Sequence, residues 1–387
     1  MKKPAIVWLN VVIFALSGLI ALIGIPYYAI VYGFDQFTII ATVLTLGFCG
    51  ISVTAGYHRL WAHKTYQAHP VLEFIFAIGG AFALQNSALH WSSDHRVHHK
   101  HVDDNDKDPY SAKRGFWFSH IGWMLREYHA NRYDDYSNVR DLKRNKIVMW
   151  QHKYYVPLCL ATNFGIPIGL GFIHGEMMAM ILSVGVLRLV LNHHSTFFIN
   201  SLAHIWGKRP YTDNNTARDN GILAFLTYGE GYHNFHHIFE HDYRNGIKWW
   251  HYDPTKWLIK GLSYFNITTG LRVSPEDRIE KARADMLLKS STAKLQKLAT
   301  LQQQYQQQYQ EQLERLQQEH AKLMVKLNAY YDTKRQLLEL KKQDIRDRVE
   351  HSQLNERYQL FQSNWAEQKK QWLKFNQQLL FTPSIAN

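Results

Sequence analysis

Long apolar runs separated by short polar breaks set the layout of this chain. The run from Ile6 to Val31 can cross a hydrocarbon layer of roughly 30 Å, which takes about 20 helical residues. Tyr32-Gly33-Phe34-Asp35-Gln36 interrupts it, and a second run extends from Phe37 to about Ala55. Two more follow, joined by Ile173-His174-Gly175-Glu176. The pattern predicts four spans at about 6–31, 37–55, 154–173 and 177–199, paired as two hairpins. Pro26, Pro157 and Pro167 fall where kinks are tolerated. The run behind Lys2 and Lys3 is too long for a signal-peptide core and lacks a small-residue cleavage pattern. Neither connecting loop carries Lys or Arg, whereas Lys2, Lys3, Arg59 and Lys64 flank the opposite ends. Because positive residues stay inside, both termini are expected on the cytoplasmic face.

Residues 70–90 form a further apolar run, with Glu73 inside it. Were it to span, His58 and His63 would lie some 30 Å from His95, His98 and His99. The run is therefore expected in or near the interface. Residues 100–152 are polar, and residues 204–270 mix aromatic and polar side chains, with Trp249, Trp250, Trp257 and Tyr264 suited to headgroup level.

The last hundred residues differ in kind. They are rich in Gln, Lys, Glu and Leu and almost free of Gly and Pro. Leu295, Tyr309, Leu316, Leu323, Tyr330 and Leu337 share one heptad register that skips only Gln302, and Leu298 and Tyr305 begin a companion position. The expected fold is an all-α membrane protein. A membrane domain at 1–275 has four transmembrane helices under a cytoplasmic, histidine-rich helical cap. Residues 276–387 form a long amphipathic, coiled-coil-like extension, a single helix or a hairpin. Self-packing or a homo-oligomer through that helix is favoured over docking of a dedicated partner.

Composition adds little. The formal charge of +12 suits anionic headgroups, and no basic stripe or motif points to nucleic acid. Cys49 and Cys159 sit in apolar runs without metal or redox spacing and read as small buried residues.

The chemistry lies in three histidine groups beside apolar segments. They are His58 and His63, then His95, His98 and His99, then His233, His236 and His237. Neutral imidazole is a common metal ligand, and helical spacings of three and four put side chains on one face. His58 and His63, five apart, need a helix end or turn to converge. Eight ligands are too many for one ion, so two metals are expected. An all-nitrogen pair beside a bilayer points to iron and dioxygen chemistry, although the ligands alone admit zinc.

These residues resemble a known family. Gly56-Tyr57-His58-Arg59-Leu60-Trp61-Ala62-His63, Asp94-His95-Arg96-Val97-His98-His99-Lys100, Arg114-Gly115-Phe116-Trp117-Phe118-Ser119-His120, Asn200-Ser201-Leu202-Ala203-His204, Gly207-Lys208-Arg209-Pro210-Tyr211 and Gly229-Glu230-Gly231-Tyr232-His233-Asn234-Phe235-His236-His237 resemble the membrane acyl-CoA (delta-9, stearoyl-CoA type) fatty acid desaturases over about residues 35–275. The resemblance implies a ninth ligand, His204. It assigns His58, His63, His95, His99 and His236 to one iron, and His98, His204, His233 and His237 to the other, with Asn200 reaching the second through water. It implies an acyl tunnel bent at Gln85, Trp91 and Thr196, with Asn86 and Asp94 near the headgroup of the substrate. Two positions depart from the pattern. Ser93 stands where the animal proteins carry arginine, and Arg126-Glu127 replaces a basic pair.

The implied activity is insertion of a cis double bond, delta-9, into a fatty acyl thioester, in unsaturated fatty acid biosynthesis. The carrier would be CoA, with acyl carrier protein or glycerolipid as alternatives. Dioxygen and two electrons are required. No haem, flavin or iron–sulfur motif is visible, so an outside donor is expected (ferredoxin, cytochrome b5 or a reductase). The rivals are a histidine-cluster di-iron alkane or lipid hydroxylase and a non-catalytic membrane metal-binding protein. Among the remaining histidines, His193 is a candidate for the tunnel wall and His120 a candidate support for a ligand. His194 is read as structural. His69, His90, His101, His129, His241 and His251 read as surface or interface residues.

Overall fold

The computed structural model describes residues 4–129, 133–301, 306–342 and 348–381. Four helices are long and apolar enough to cross a membrane: α1 (Trp8–Val31), α2 (Gln36–Ala62), α7 (Tyr155–His174) and α8 (Met177–Ile205). Between them lie α3 (Pro70–Ala83), α4 (Ala88–His101), α5 (Phe116–His120) and α6 (Lys146–Lys153). After them come α9 (Gly221–Leu226), α10 (His233–Ile238) and α11 (Pro254–Ser263). The apolar outer faces of the spans, such as Leu22, Ile30, Leu44 and Phe172, are exposed, as lipid contact requires. The chain is an integral membrane protein.

The two hairpin turns lie together. Gly33 takes φ +77°, Asp35 caps α2 by accepting the Thr38 N–H at 2.7 Å, and the His174 ring contacts the Asp35 carboxylate. The opposite ends of α2 and α8 run toward the histidine groups.

The second span is longer than its hydropathy predicted. It continues beyond Ala55 as a π-helical stretch, Ser52–Ala62, wholly buried. Residues 70–90 do not form one straight helix. α3 stops at Leu84, which takes φ +53°, and α4 leaves at 81° to it. α2 and α3 pack at very short range, as small residues permit. A Cβ on Gly79 would stand 2.0 Å from Ser52 Oγ, and one on Gly80 would stand 2.2 Å from the Tyr57 ring. Gly80→Ala is accordingly expected to cost about 1–3 kcal/mol by overpacking. Lower thermal unfolding midpoints in detergent would register this, and a wild-type midpoint would refute it.

The apolar core of this unit joins Cys49, Val53, Phe76, Phe82, Leu89, Met180 and Val184. β1 (Gln67–Ala68) pairs antiparallel with β2 (Thr268–Thr269), tying the segment after His63 to the cap. Trp249, Trp250 and Tyr264 are exposed.

Residues 210–213 and 274–387 form a second compact unit, so the break falls near Ser274. Where a single helix or a hairpin was expected, its described residues form three helices: α12 (Glu276–Leu301), α13 (Gln306–Lys342) and α14 (Arg348–Phe381). Leu295, Leu316, Leu323 and Tyr330 of the heptad register are buried against Trp365, Trp372 and Leu379 of α14. The heptad seam is thus satisfied within the chain. Positions Gln302 and Tyr305, like Lys2 and Lys3, lie outside the described residues.

Candidate metal centre

The histidines arrive on four elements. His58 sits in the π-helical end of α2, and the His63 N–H bonds to His58 O at 3.0 Å, a five-residue step. That wider turn brings two side chains five apart onto one side. His95, His98 and His99 come from α4, His204 from the end of α8, and His233, His236 and His237 from α10. They gather in two groups. The first holds His58, His63, His95, His99 and His236, and the second His98, His204, His233 and His237. In each group the candidate ligand nitrogens lie within 4.8 Å of one another.

The contacts inside the groups are Nε2 to Nε2: 2.8 Å for His63–His95, 3.0 Å for His58–His236 and His99–His236, and 3.1 Å for His204–His233 and His233–His237. The opposite ring nitrogens face oxygen. His98 Nδ1 lies 2.9 Å from Asp108 Oδ1, His99 Nδ1 3.2 Å from Glu240 Oε2 and His58 Nδ1 2.9 Å from Glu230 Oε2. His204 Nδ1 is 2.9 Å from Thr216 Oγ1, and His95 Nδ1 3.2 Å from the Tyr110 hydroxyl. An Nδ1 proton held by carboxylate leaves a lone pair on Nε2. Lone pairs facing at 3 Å repel unless a cation lies between them. The N–N separations also match the edges spanned by ligands about 2.1 Å from one ion. The donor set therefore fits a metal pair.

Burial and mutual repulsion push His233, His236 and His237 well below the ordinary imidazole value, and burial pushes His99 down to about 4. These rings are neutral at physiological pH, the form a metal needs. Burial alone would raise Asp108, but its contact with His98 outweighs this and leaves the carboxyl below its ordinary range. The hydrogen bond from His99 likewise lowers Glu240.

A cavity of about 210 Å³ is lined by residues that touch both groups, Trp91 against His95 and Tyr110 against His98. Its lining includes Gln85, Asn86, Trp91, Asp94, Thr196 and Asn200, with His193 also on its wall. Trp91 stacks on His95 with ring centres 4.8 Å apart. Tyr110, also on the wall, meets His98 at 4.5 Å. Gln85 Nε2 donates to Thr196 Oγ1 at 2.8 Å across the cavity. Asn10, Ile13 and Phe14 of α1 close one side, held where the Val7 N–H bonds to Leu125 O at 3.0 Å and Asn10 Nδ2 to Met124 O at 2.8 Å.

These residues can be set against known proteins. The fatty acid desaturase family model matches residues 36–269. The chain belongs to the fatty acid desaturase family. A probable acyl-CoA desaturase of Schizosaccharomyces pombe is 42% identical over 264 residues, 67% of this chain and 54% of that protein. Acyl-CoA desaturase 1 of Saccharomyces cerevisiae is 40% identical over 286 residues, 71% of this chain and 53% of that protein. The chain thus spans about half the length of these two relatives. An sn-2 palmitoyl-lipid 9-desaturase of Nostoc sp. is 36% identical over 278 residues, 71% of this chain and 93% of that protein.

Some features of this desaturase-family site were not legible from spacing. Asp108, Glu230, Glu240 and Thr216, which meet the clustered histidine rings, have no spacing that marks them. The signal for Glu230 was its place in the third histidine motif, three residues before His233. His120 does not support a clustered histidine. It bonds Ser201 Oγ and His194 Nδ1, each at 2.9 Å. His90 is buried rather than superficial, stacked on Tyr133 at 4.3 Å and 3.2 Å from the Tyr136 hydroxyl. Ser93 donates to Asn138 Oδ1 at 2.8 Å, and Arg126 to Pro4 O at 2.8 Å.

Proposed function

We propose that this chain is a di-iron desaturase that inserts a cis double bond, delta-9, into a saturated fatty acyl thioester, with CoA as the carrier. The observation that carries this reading is the cavity lined by Gln85, Trp91, Tyr110, Thr196 and Asn200, two of whose wall residues, Trp91 and Tyr110, pack against His95 and His98 of the two histidine groups. His58, His63, His95, His99 and His236 would hold one iron. His98, His204, His233 and His237 would hold the other, with Asn200 reaching it through water. When bound, the iron pair supplies activated dioxygen, the oxidant for methylene hydrogens that have no useful acidity.

The residues of the chain do the rest. Asp108 and Glu240 hold the Nδ1 protons of His98 and His99 and so fix which nitrogen faces the metal, and the Glu230 carboxylate lies 2.9 Å from His58 Nδ1. An alkyl chain offers no hydrogen-bonding handle, so the wall must select the reacting carbons by shape. Gln85 and Thr196 set the bend, while Trp91, stacked on His95, presses the chain toward the metals and keeps water out. Asn86 and Asp94 would meet the polar end of the substrate. The two electrons come from an outside donor (ferredoxin, cytochrome b5 or a reductase) at a cytoplasmic face that also carries both termini.

A glycerolipid is the second reading for the carrier. Ser93 and Arg126 are engaged by neighbours in place of a free basic pair, and the Nostoc relative is named for a lipid substrate. Expression in a host lacking unsaturated acids tests the activity. A cis alkene at carbon 9 is expected. Saturated lipids alone, or a hydroxylated product, would sink the desaturase reading. Assays of purified protein with stearoyl-CoA against a palmitoyl glycerolipid decide the carrier.

A further inference from the structure

α3 ends within the membrane unit, where its last carbonyls need partners from other elements. Side chains of two spans meet them in sequence. Ala81 O accepts from Cys159 Sγ at 3.3 Å and Asn163 Nδ2 at 3.4 Å, both on α7. Phe82 O accepts from Arg188 at 2.7 Å, Ala83 O from Asn192 at 3.4 Å and Leu84 O from His193 Nε2 at 3.1 Å, all on α8.

Arg188 is fully buried, and among the described residues no carboxylate pairs with it. A lone cation within a span is expensive and marks a function by default. All its N–H donors are used nonetheless. Besides Phe82 O they reach Val184 O at 3.0 Å, Asn163 Oδ1 at 2.9 Å, Gly185 O at 3.4 Å and Cys49 Sγ at 3.9 Å. The guanidinium carbon lies 3.7 Å from the centre of the Phe82 ring. Its counter-charge is the negative end of the α3 dipole, which favours a cation at a helix C-terminus.

The backbone held in this way is unusual. Leu84 and Asn86 both take positive φ, +53° and +71°, a conformation that persists only where surroundings enforce it. Between them sits Gln85, which crosses the cavity to Thr196. Thr196 lies eight residues after Arg188 on α8, about 12 Å along the helix. One rigid helix therefore carries the cap of the break, the partner of Gln85 and, further on, Asn200 and His204.

We propose that Arg188, with Asn192 and His193, is a positioning device: it holds the break after α3 in the shape that fixes which carbons of the acyl chain lie against the metals. Arg188 acts through Leu84, Gln85 and Asn86 rather than by touching substrate. The inference rests on the desaturase reading for its chemical consequence, but not for the cap itself.

Two measurements on full-length protein in lipid nanodiscs test it: hydrogen exchange over residues 84–91, and the double-bond position of the product by mass spectrometry. In Arg188→Met, exchange in that segment rises at least tenfold, and the share of alkene at neighbouring carbons rises by about 10- to 100-fold, the scale expected from an ångström of misplacement. Metal content is unchanged. Arg188→Lys keeps the cation at the helix end and restores part of both. Asn192→Leu moves both in the same direction but less, and it carries the test should Arg188→Met not fold. Unchanged exchange, or a lower yield at the wild-type isomer ratio, would overturn the proposal. If the wild-type protein makes no alkene, the desaturase reading falls, and the exchange result still decides whether Arg188 holds the break.

Discussion

His98→Ala is expected to remove one metal ion per chain and to end alkene formation while leaving the membrane fold intact. His98 is the contribution of α4 to the second histidine group, whose other members come from α8 and α10. Without it that group keeps three imidazoles. The neighbouring first group keeps all five, so one of two irons stays bound. On the proposed di-iron reading both ions take part in activating dioxygen, so product should fall at least about 10³-fold, or ~4 kcal/mol of barrier. The fold should survive because Asp108, the partner of His98, remains satisfied by the Asp103 N–H at 3.0 Å and the Tyr110 N–H at 3.1 Å. Asp108→Asn is the graded companion. It keeps the ring but loosens the hold on its Nδ1 proton, and metal affinity should drop about 10- to 100-fold. Metal analysis of purified protein and gas chromatography of host lipids give the two readouts. If His98→Ala holds both irons and yields alkene near the wild-type level, the assignment of the second group is wrong.

The four spans were readable because hydropathy and loops without Lys or Arg are local properties of sequence. So was the heptad seam of the C-terminal helices, because its apolar positions recur at a fixed local spacing. The convergence of the histidines rested on one expectation, that residues 70–90 do not cross the membrane; the described chain turns by 81° between α3 and α4, and the histidines of α2 and α4 gather in one place. The five-residue step from His58 to His63 was harder. Its solution is a π-helical turn, set by how α2 packs rather than by any residue pattern. The carboxylates behind the rings were out of reach for a different reason. Glu230 meets His58 across 172 positions of sequence, and Glu240 meets His99 across 141. Periodicity carries no information at that range. The same holds for His90, which Tyr133 and Tyr136 cover from more than forty positions away.

Arg59→Met is expected to be among the most destabilising single changes in the membrane unit. Arg59 sits between the ligand-bearing turn of α2 and the cap, 1% exposed. It donates to Glu230 Oε1 at 2.8 Å, to Asp253 Oδ2 at 3.1 Å and to Tyr243 O at 2.8 Å. Both carboxylates are as deeply buried as the arginine. Removing the cation alone leaves two buried charges facing each other. Breaking a buried pair from one side costs about 3–5 kcal/mol, and here the backbone N–H groups of Asn245, Gly246 and Lys256 soften the loss for Asp253 only. For a unit of this size each kcal/mol lowers the unfolding midpoint by roughly 2–4 °C, so a fall of roughly 6–20 °C is expected. Removing both sides at once, as in Arg59→Met with Glu230→Met, should cost less than the sum of the single changes, because each single change strands the partner. The loss also reaches the metals. Glu230 holds the Nδ1 side of His58 at 2.9 Å, and its other support is the Asn245 amide at 2.5 Å. Once Arg59 is gone, that carboxylate is free to take a proton or turn away, and iron content should fall together with the midpoint. A shift below roughly 3 °C, about 1 kcal/mol on this scale, with full iron content, would show that the cluster neither anchors the cap nor orients the ligand.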